Sequence, residues 1–327
     1  MIVLVTEQEF QRAPDVFQSS TCECIAAAAD ETSLAGQVRE RGVRHVIVGS
    51  VKYMGPLYDA LSGGGLIARF GVGHDGIDKE KATAAGVLCT NTPHVLDASV
   101  AEHAILLMLG AARRIATLGS EMKAGTWALG PAGLELRDKT LAIIGAGRIG
   151  QTTARIASQG FGMRTIGFRR TLPPPPAEPF DSVTTDFTLA VRDADFVSLH
   201  INAEPANHQF LNRERLASIP QRAWLINTAR GTVVDEQSLY DALADGRLAG
   251  AALDVFDREP YVPADPSRDL RTLANVLLTP HVGSHTREAN RGMAERALQN
   301  VIRAVHGEFD GMDLVNPGVL KVIGRHR

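Results

Sequence analysis

Cysteine is scarce in this chain of 327 residues: Cys22, Cys24 and Cys89 form no CxxC pair. An odd and sparse set builds no disulfide framework and suits a reducing compartment, so the three read as small buried hydrophobes. Long apolar runs are also lacking. The longest, residues 104–112, is far too short to span a bilayer. The beginning, MIVLVTEQEF, is apolar only over residues 2–5 before Glu7 and Glu9, without the basic flank and longer core of a signal peptide. A cytoplasmic protein with no membrane partner is expected. The net charge is -3 and there is no long run of Lys or Arg, which leaves no electrostatic footprint for nucleic acid. Lysine itself is rare, six against 28 arginines, which reflects genomic composition more than function. Low-complexity sequence is confined to the run 173–176 of four prolines, read as a stiff surface turn.

What is present is ordinary for a globular protein, 44% hydrophobic and 22% charged, with length enough for two domains. Short apolar runs at 2–5, 22–26, 45–48, 66–70 and 87–90 alternate with helix-like stretches such as 31–41 and 79–85. A β/α rhythm of this kind makes a parallel sheet. Near residue 97 the rhythm changes to a longer helix running through Ile115, opened by Ser99-x-x-Glu102 as a capping box. A second series of six apolar runs follows, at 141–144, 165–168, 196–199, 223–226, 251–253 and 276–278, enough for a doubly wound sheet. A final helix over about 287–306 leaves a tail too short for another domain, which is expected to return to the first.

The run 141–144 leads into Gly145-Ala146-Gly147-Arg148-Ile149-Gly150 and then a helical stretch. In that context Gly145 permits a tight turn, Gly147 lets backbone approach a pyrophosphate, and Gly150 permits close helix packing. Such a site binds a dinucleotide. An NAD-specific site places Asp or Glu at the end of the next strand, to accept from the ribose hydroxyls. Here Phe168 is followed by Arg169 and Arg170, which suit the 2′-phosphate of NADP. Three later segments, 227–231 (NTARG), 253–260 (LDVFDREP) and 279–284 (TPHVGS), lie near the carboxyl ends of strands, where open α/β sheets bind ligands. Arg230, Glu259 and His281 suit an oxo acid. An Arg clamps carboxylate and carbonyl oxygens, a His delivers a proton, and a Glu stabilises the imidazolium and fixes its tautomer.

With these words in order, the chain resembles the NAD(P)-dependent D-isomer-specific 2-hydroxyacid dehydrogenases, the group of glyoxylate and hydroxypyruvate reductases, formate dehydrogenase and phosphoglycerate dehydrogenase, and within it is most similar to the glyoxylate and hydroxypyruvate reductases. The resemblance rests on RFGVGHDGID, NTPHVLDASVAEH, LAIIGAGRIGQ, LINTARGTVVDE, LDVFDREP and LLTPHVGSHT, and covers nearly all of residues 66–304. It implies an α/β protein of two β/α domains. One is a flavodoxin-like substrate domain (1–97 plus 288–327); the other is a Rossmann doubly wound cofactor domain (98–287). It further implies that Arg230 binds the substrate's carboxylate and oxo group, that Glu259 pairs with His281, and that His281 is the proton donor. Val72 and Gly73 match the loop whose amides hold the carboxylate. Asp254 matches the aspartate near the nicotinamide carboxamide. Arg148 and Ile149 match the contact after the glycines, and Thr228 with Ala229 lines the nicotinamide side.

Departures from the family pattern are Arg169, where many members carry Asp, and His94, where Gly is usual. His74, His200 and His285 read as rim or solvated histidines, while His103 and Glu102 are explained by the helix. The expected reaction is hydride transfer between NADPH, with NAD possible, and a small 2-oxo acid to give a D-2-hydroxy acid, without a metal. The alternatives are an NAD-dependent relative acting on a different acid and a dinucleotide-sensing, corepressor-like binding protein. Residues 104–109 are apolar around more than one helix face, and the resemblance implies a homodimer formed there.

Overall fold

The computed structural model describes residues 1–127, 129–172 and 179–324, so the proline run 173–176 lies outside the described residues. The chain clusters into two compact units, Met1–Leu96 with His285–Arg327, and Asp97–Ser284.

In the first unit the strands are β1 (Ile2–Thr6), β2 (Glu23–Ala27), β3 (His45–Val48), β4 (Leu66–Arg69) and β5 (Leu88–Thr90). They pair in parallel in the order β2-β1-β3-β4-β5. This is the flavodoxin-like order, in which the chain reverses direction across the sheet between β1 and β3. Strand side chains such as Leu4, Val46, Val48 and Ile67 are fully buried with Leu34, Val38, Leu57 and Leu61 from the covering helices. The helix Arg287–His306 belongs to this unit, and the segment after it is tied to β5 by Asn316. Asn316 is 5% exposed. Its Oδ1 accepts the Cys89 N–H at 2.9 Å while Nδ2 donates to Val87 O at 2.9 Å and Thr83 Oγ1 at 3.1 Å.

The second unit carries β6 (Thr140–Ile144), β7 (Arg164–Phe168), β8 (Ser182–Thr184), β9 (Phe196–Leu199), β10 (Trp224–Asn227), β11 (Gly250–Leu253) and β12 (Val276–Leu278). The parallel order is β12-β11-β10-β9-β6-β7-β8, a doubly wound sheet with its reversal between β6 and β9. Alternate residues face opposite layers, the period of two that a strand imposes. Leu141 and Ile143 pack under the helix Asp97–Ala112, and Ala142 and Ile144 pack in the other layer with Val197, Leu199 and Leu225. Burial on both faces is why these strands read as unbroken apolar runs.

Three local expectations need correction. The long helix begins at Asp97, so Ser99 lies inside its first turn and does not open it as the cap of a capping box. The helix ends at Ala112, where Arg114 turns left-handed (φ 53°), and a separate helix, Ile115–Lys123, follows. The second sheet has a seventh strand, β8. Its sequence Ser182-Val183-Thr184 is too short and too polar to register as an apolar run, because it pairs on one side only, at the sheet edge.

Asn316→Leu would strip partners from the buried Cys89 N–H and Val87 C=O. At about 1–3 kcal/mol for each unsatisfied group, urea unfolding should report a loss of roughly 2 kcal/mol or more. A change under about 0.5 kcal/mol, the scatter of neutral surface substitutions, would show that the tail is not held there.

Candidate active site

The carboxyl end of β6 turns sharply at Gly145 (φ 109°), where a Cβ would lie 2.6 Å from the carbonyl of His200 at the end of β9. Only glycine fits that approach. Gly150 packs equally closely, since a Cβ there would meet Gly145 O at 2.3 Å. Between them Gly147 precedes the helix Arg148–Phe161, and nothing lies within 4 Å of where its Cβ would be. The first turn of that helix points unpaired N–H donors outward, so the strand, the turn and the helix start form an open anion cradle. Arg148 is turned aside onto Asp97 (Nε to Oδ2 2.8 Å), and Ile149 is half-buried. At the end of β7 the Arg169 N–H donates to Thr184 O at 3.1 Å, while its guanidinium has no hydrogen bond or ion pair among the described residues. Arg170 pairs with Glu204 at 3.0 Å, both side chains in solvent.

The ends of β10, β11 and β12 form the other half. After β10, Asn227 holds a turn: its Oδ1 accepts the Ala229 N–H at 3.0 Å and its Nδ2 donates to Arg230 O at 2.9 Å. The turn leaves Thr228 Oγ1 buried without a hydrogen-bond partner. A group of that kind costs free energy unless a ligand satisfies it. Gly231 then runs against the loop after β11, where a Cβ would fall 1.8 Å from the Phe256 carbonyl carbon. That contact sets Arg230 beside the loop carrying Glu259.

Glu259 meets His281 at 2.6 Å, Oε2 to Nδ1, and its Oε1 accepts the Phe256 N–H at 3.1 Å. Burial works to raise the Glu259 pKa, but the His281 hydrogen bond and charge, the Phe256 N–H and the Arg230 charge outweigh it and hold the carboxyl below its ordinary range. Glu259 is therefore an ionised acceptor at neutral pH. With Nδ1 engaged, the tautomer and the direction of Nε2 are set.

Asp254, at the end of β11, is 1% exposed. Its Oδ1 takes Thr279 Oγ1 (2.6 Å) and the Val282 N–H (2.9 Å), its Oδ2 takes the Gly283 N–H (2.8 Å), and its carbonyl takes the His281 N–H (2.7 Å). Burial raises its pKa, yet the donors from His103, Thr279 and Val282 leave it below the ordinary aspartate value. A carboxylate so engaged holds the loop around it.

A family model, the NAD binding domain of the D-isomer specific 2-hydroxyacid dehydrogenases, matches residues 105–283. The chain belongs to that family. A glyoxylate reductase of Thermococcus litoralis is 41% identical over 263 residues, 78% of each chain. Glyoxylate/hydroxypyruvate reductase B of Enterobacter agglomerans is 38% identical over 254 residues, 76% of this chain and 77% of that one. Among solved structures, an NADPH-dependent glyoxylate/hydroxypyruvate reductase of Sinorhizobium meliloti, in complex with NADP and malonate, is 31% identical. It covers 92% of each chain with a TM-score of 0.74. As a 2-hydroxyacid dehydrogenase, the chain works with a nicotinamide dinucleotide on small 2-oxo acids. The glycine cradle and the orphaned Thr228 hydroxyl fit such a group.

In this dehydrogenase, Arg230, Glu259, His281, Asp254, Thr228, Ala229 and the glycine turn all lie in the second unit, while Val72 and Gly73 lie in the first. Val72 O accepts from Asn91 Nδ2 at 2.8 Å. Two residues were missed by sequence reasoning. His103, assigned to helix packing, reaches Asp254 and Thr279. Glu236 accepts the Asp257 N–H at 2.6 Å, adjoining the amide that Glu259 takes. No spacing rule marks either, because each acts across two strand ends. Of the other histidines, His200 bonds Ser198 at 2.8 Å and burial pushes it down to about 4, while His285 meets Asn290 at 3.2 Å. Among the described residues no His, Cys, Asp and Glu group could hold a metal ion, and no helix is long and apolar enough to cross a membrane.

The lowered Glu259 pKa carries a sign for stability. Its contribution is present above the unfolded glutamate value of about 4.3 and is lost as pH falls through the lower folded value. The urea midpoint of the wild type should therefore exceed that of Glu259→Gln near pH 6, with the gap closing toward pH 3. A gap that widens on acidification would contradict the ion pair.

Proposed function

We propose that this dehydrogenase reduces a small 2-oxo acid of the glyoxylate or hydroxypyruvate class to the D-2-hydroxy acid, prefers NADPH, and uses His281 as its proton donor. The observation that carries the reading is the 2.6 Å bond between Glu259 and His281 Nδ1, which leaves Nε2 as the proton-delivering nitrogen.

When bound, the reduced nicotinamide supplies a hydride to C2 of the acid. Everything else falls to the chain. Arg230 clamps the carboxylate and polarises the oxo group, and the charge gathering on that oxygen is neutralised by the proton from His281. Glu259 accepts from His281 Nδ1 and holds the ring in line. In the first unit, the amides of Val72 and Gly73 are the proposed substrate-binding groups. Gly145, Gly147, Arg148, Ile149 and Gly150 receive the pyrophosphate, and Thr228 and Ala229 face the nicotinamide. Asp254 contributes through the loop it holds. His281→Ala should lower the reduction rate by about 100-fold or more while leaving cofactor affinity, read by fluorescence titration, within about threefold. Wild-type turnover in that variant would refute the assignment.

Cofactor choice rests on Arg169, whose guanidinium has no protein partner among the described residues and is available to a 2′-phosphate. Arg170 must first release Glu204, an exposed pair worth little. A charge-assisted bond of roughly 1.5–3 kcal/mol favours NADPH over NADH by at least about tenfold in kcat/KM. Arg169→Ala should remove most of that preference, Arg170→Ala less of it, and both should leave NADH turnover nearly unchanged. Equal kcat/KM for the two cofactors in the wild type would overturn it.

Homodimerisation in the cytoplasm completes the proposal. The helix Asp97–Ala112 buries Ala104, Ile105, Leu107 and Met108 in its own unit, so its apolar breadth is largely spent there. Apolar surface is nonetheless left on Leu106 (59% exposed), Ile115 (60%), Trp127 (85%) and Leu129 (89%). Exposed apolar side chains of this size support the reading of an interface. Light scattering at micromolar concentration should give a dimer mass, and a monomer would count against the interface.

A further inference from the structure

Among the described residues, the carboxylate that anchors the His281 loop has one partner from outside that loop. Four groups of residues 279–283 converge on Asp254: the Thr279 hydroxyl, the N–H groups of Val282 and Gly283, and the His281 N–H on the Asp254 carbonyl. The fifth is His103, on the helix Asp97–Ala112, with Nε2 3.3 Å from Asp254 Oδ1 and 3.2 Å from Thr279 Oγ1. Thr279 gives its hydroxyl proton to Asp254, so the His103 Nε2–H is the donor that reaches both oxygens. Its side chain is 11% exposed. The packing leaves no slack. A Cβ on Gly283 would sit 3.0 Å from Asp254 Oδ2 and 3.5 Å from His103 Cδ2.

His281 itself adopts a left-handed backbone (φ 53°), a conformation that is strained for a non-glycine residue and persists only where the surroundings impose it. The imposing group is Asp254, which takes the N–H of His281 and of the two residues after it. A buried carboxylate keeps its place and its charge only with its full set of donors.

We propose that His103 is a positioning residue for the proton donor: through Asp254 and Thr279 it fixes the turn that aims the His281 ring. The inference rests on the proposed role of His281. In this role His103 acts through Asp254 and Thr279 and not on the substrate or cofactor directly. Loosening Asp254 lets the 279–283 turn relax, and the ring loses its alignment with the oxo group although Glu259 is intact.

The test compares His103→Leu, which removes the donor at similar volume, Thr279→Val, which removes the other side-chain donor on the same carboxylate oxygen, and His103→Gln, which restores an amide donor. In the first two, kcat for 2-oxo acid reduction should fall about tenfold, as a displaced catalytic group requires, with substrate KM and cofactor Kd within about twofold. His103→Gln should recover kcat to within about threefold of wild type. Added to His281→Ala, His103→Leu should cost nothing further, because the group it positions is gone. If His103→Leu does not fold, Thr279→Val alone and in the His281→Ala background decides the matter. Wild-type kcat in the folded variants, or an equal loss in the His281→Ala background, overturns the positioning role and leaves the proton donor standing. Wild-type turnover of His281→Ala itself overturns the donor, and this inference with it.

Discussion

An imidazole can hand a proton to a carbonyl oxygen only if something keeps that proton available and keeps the ring pointed at its target. In the mechanism proposed for this protein both duties fall on one bond, Glu259 Oε2 to His281 Nδ1 at 2.6 Å, made between the loops that follow β11 and β12. The bond works because the carboxylate is ionised. Burial alone would push Glu259 toward its neutral form, and the N–H of Phe256, the charge of Arg230 and the histidine counteract that. Arg230, the proposed substrate clamp, thus also supports the Glu259 carboxylate.

The sheet supplies the convergence. Parallel strands deliver all their carboxyl ends to one edge, so loops distant in sequence meet without any loop needing to be long. β10, β11 and β12 contribute Arg230, the Asp254–Glu259 segment and His281, and β6 contributes the glycine turn on the other side of the reversal. Close approach between these loops is bought with glycines: Gly231 against Phe256, Gly283 against Asp254, and Gly145 against His200. Two carboxylates then divide the labour. Glu259 faces the His281 ring, and Asp254, fully enclosed, holds its backbone.

Much of this was legible in the residues themselves. Strands buried on both faces announce themselves as apolar runs, and the six runs from 141 to 278 correspond to six of the seven strands of the second sheet. The glycine turn, Arg230, Glu259 and His281 stand in words whose order carries a family resemblance, and the matching family model spans the same segments. What escaped did so for physical reasons. β8 pairs on one side only and needs no apolar pattern, and Asp97 rather than Ser99 starts the long helix. His103 looked like a packing residue because its partners, Asp254 and Thr279, lie more than 150 residues away in sequence. Hydrogen bonds between a helix and two strand ends leave no periodic trace.

The account turns on where His281 Nε2 points when a substrate is present. The direct measurement is the distance from that nitrogen to the carbonyl oxygen of oxamate, a 2-oxo acid analogue, in a crystal structure of the protein with oxidised cofactor and the analogue bound. Hydrogen-bond reach, about 2.6–3.2 Å, is predicted, with Arg230 on the same oxygen and Glu259 still on Nδ1. An analogue seated with its carbonyl oxygen on another side chain, and His281 Nε2 turned to solvent, would contradict the account.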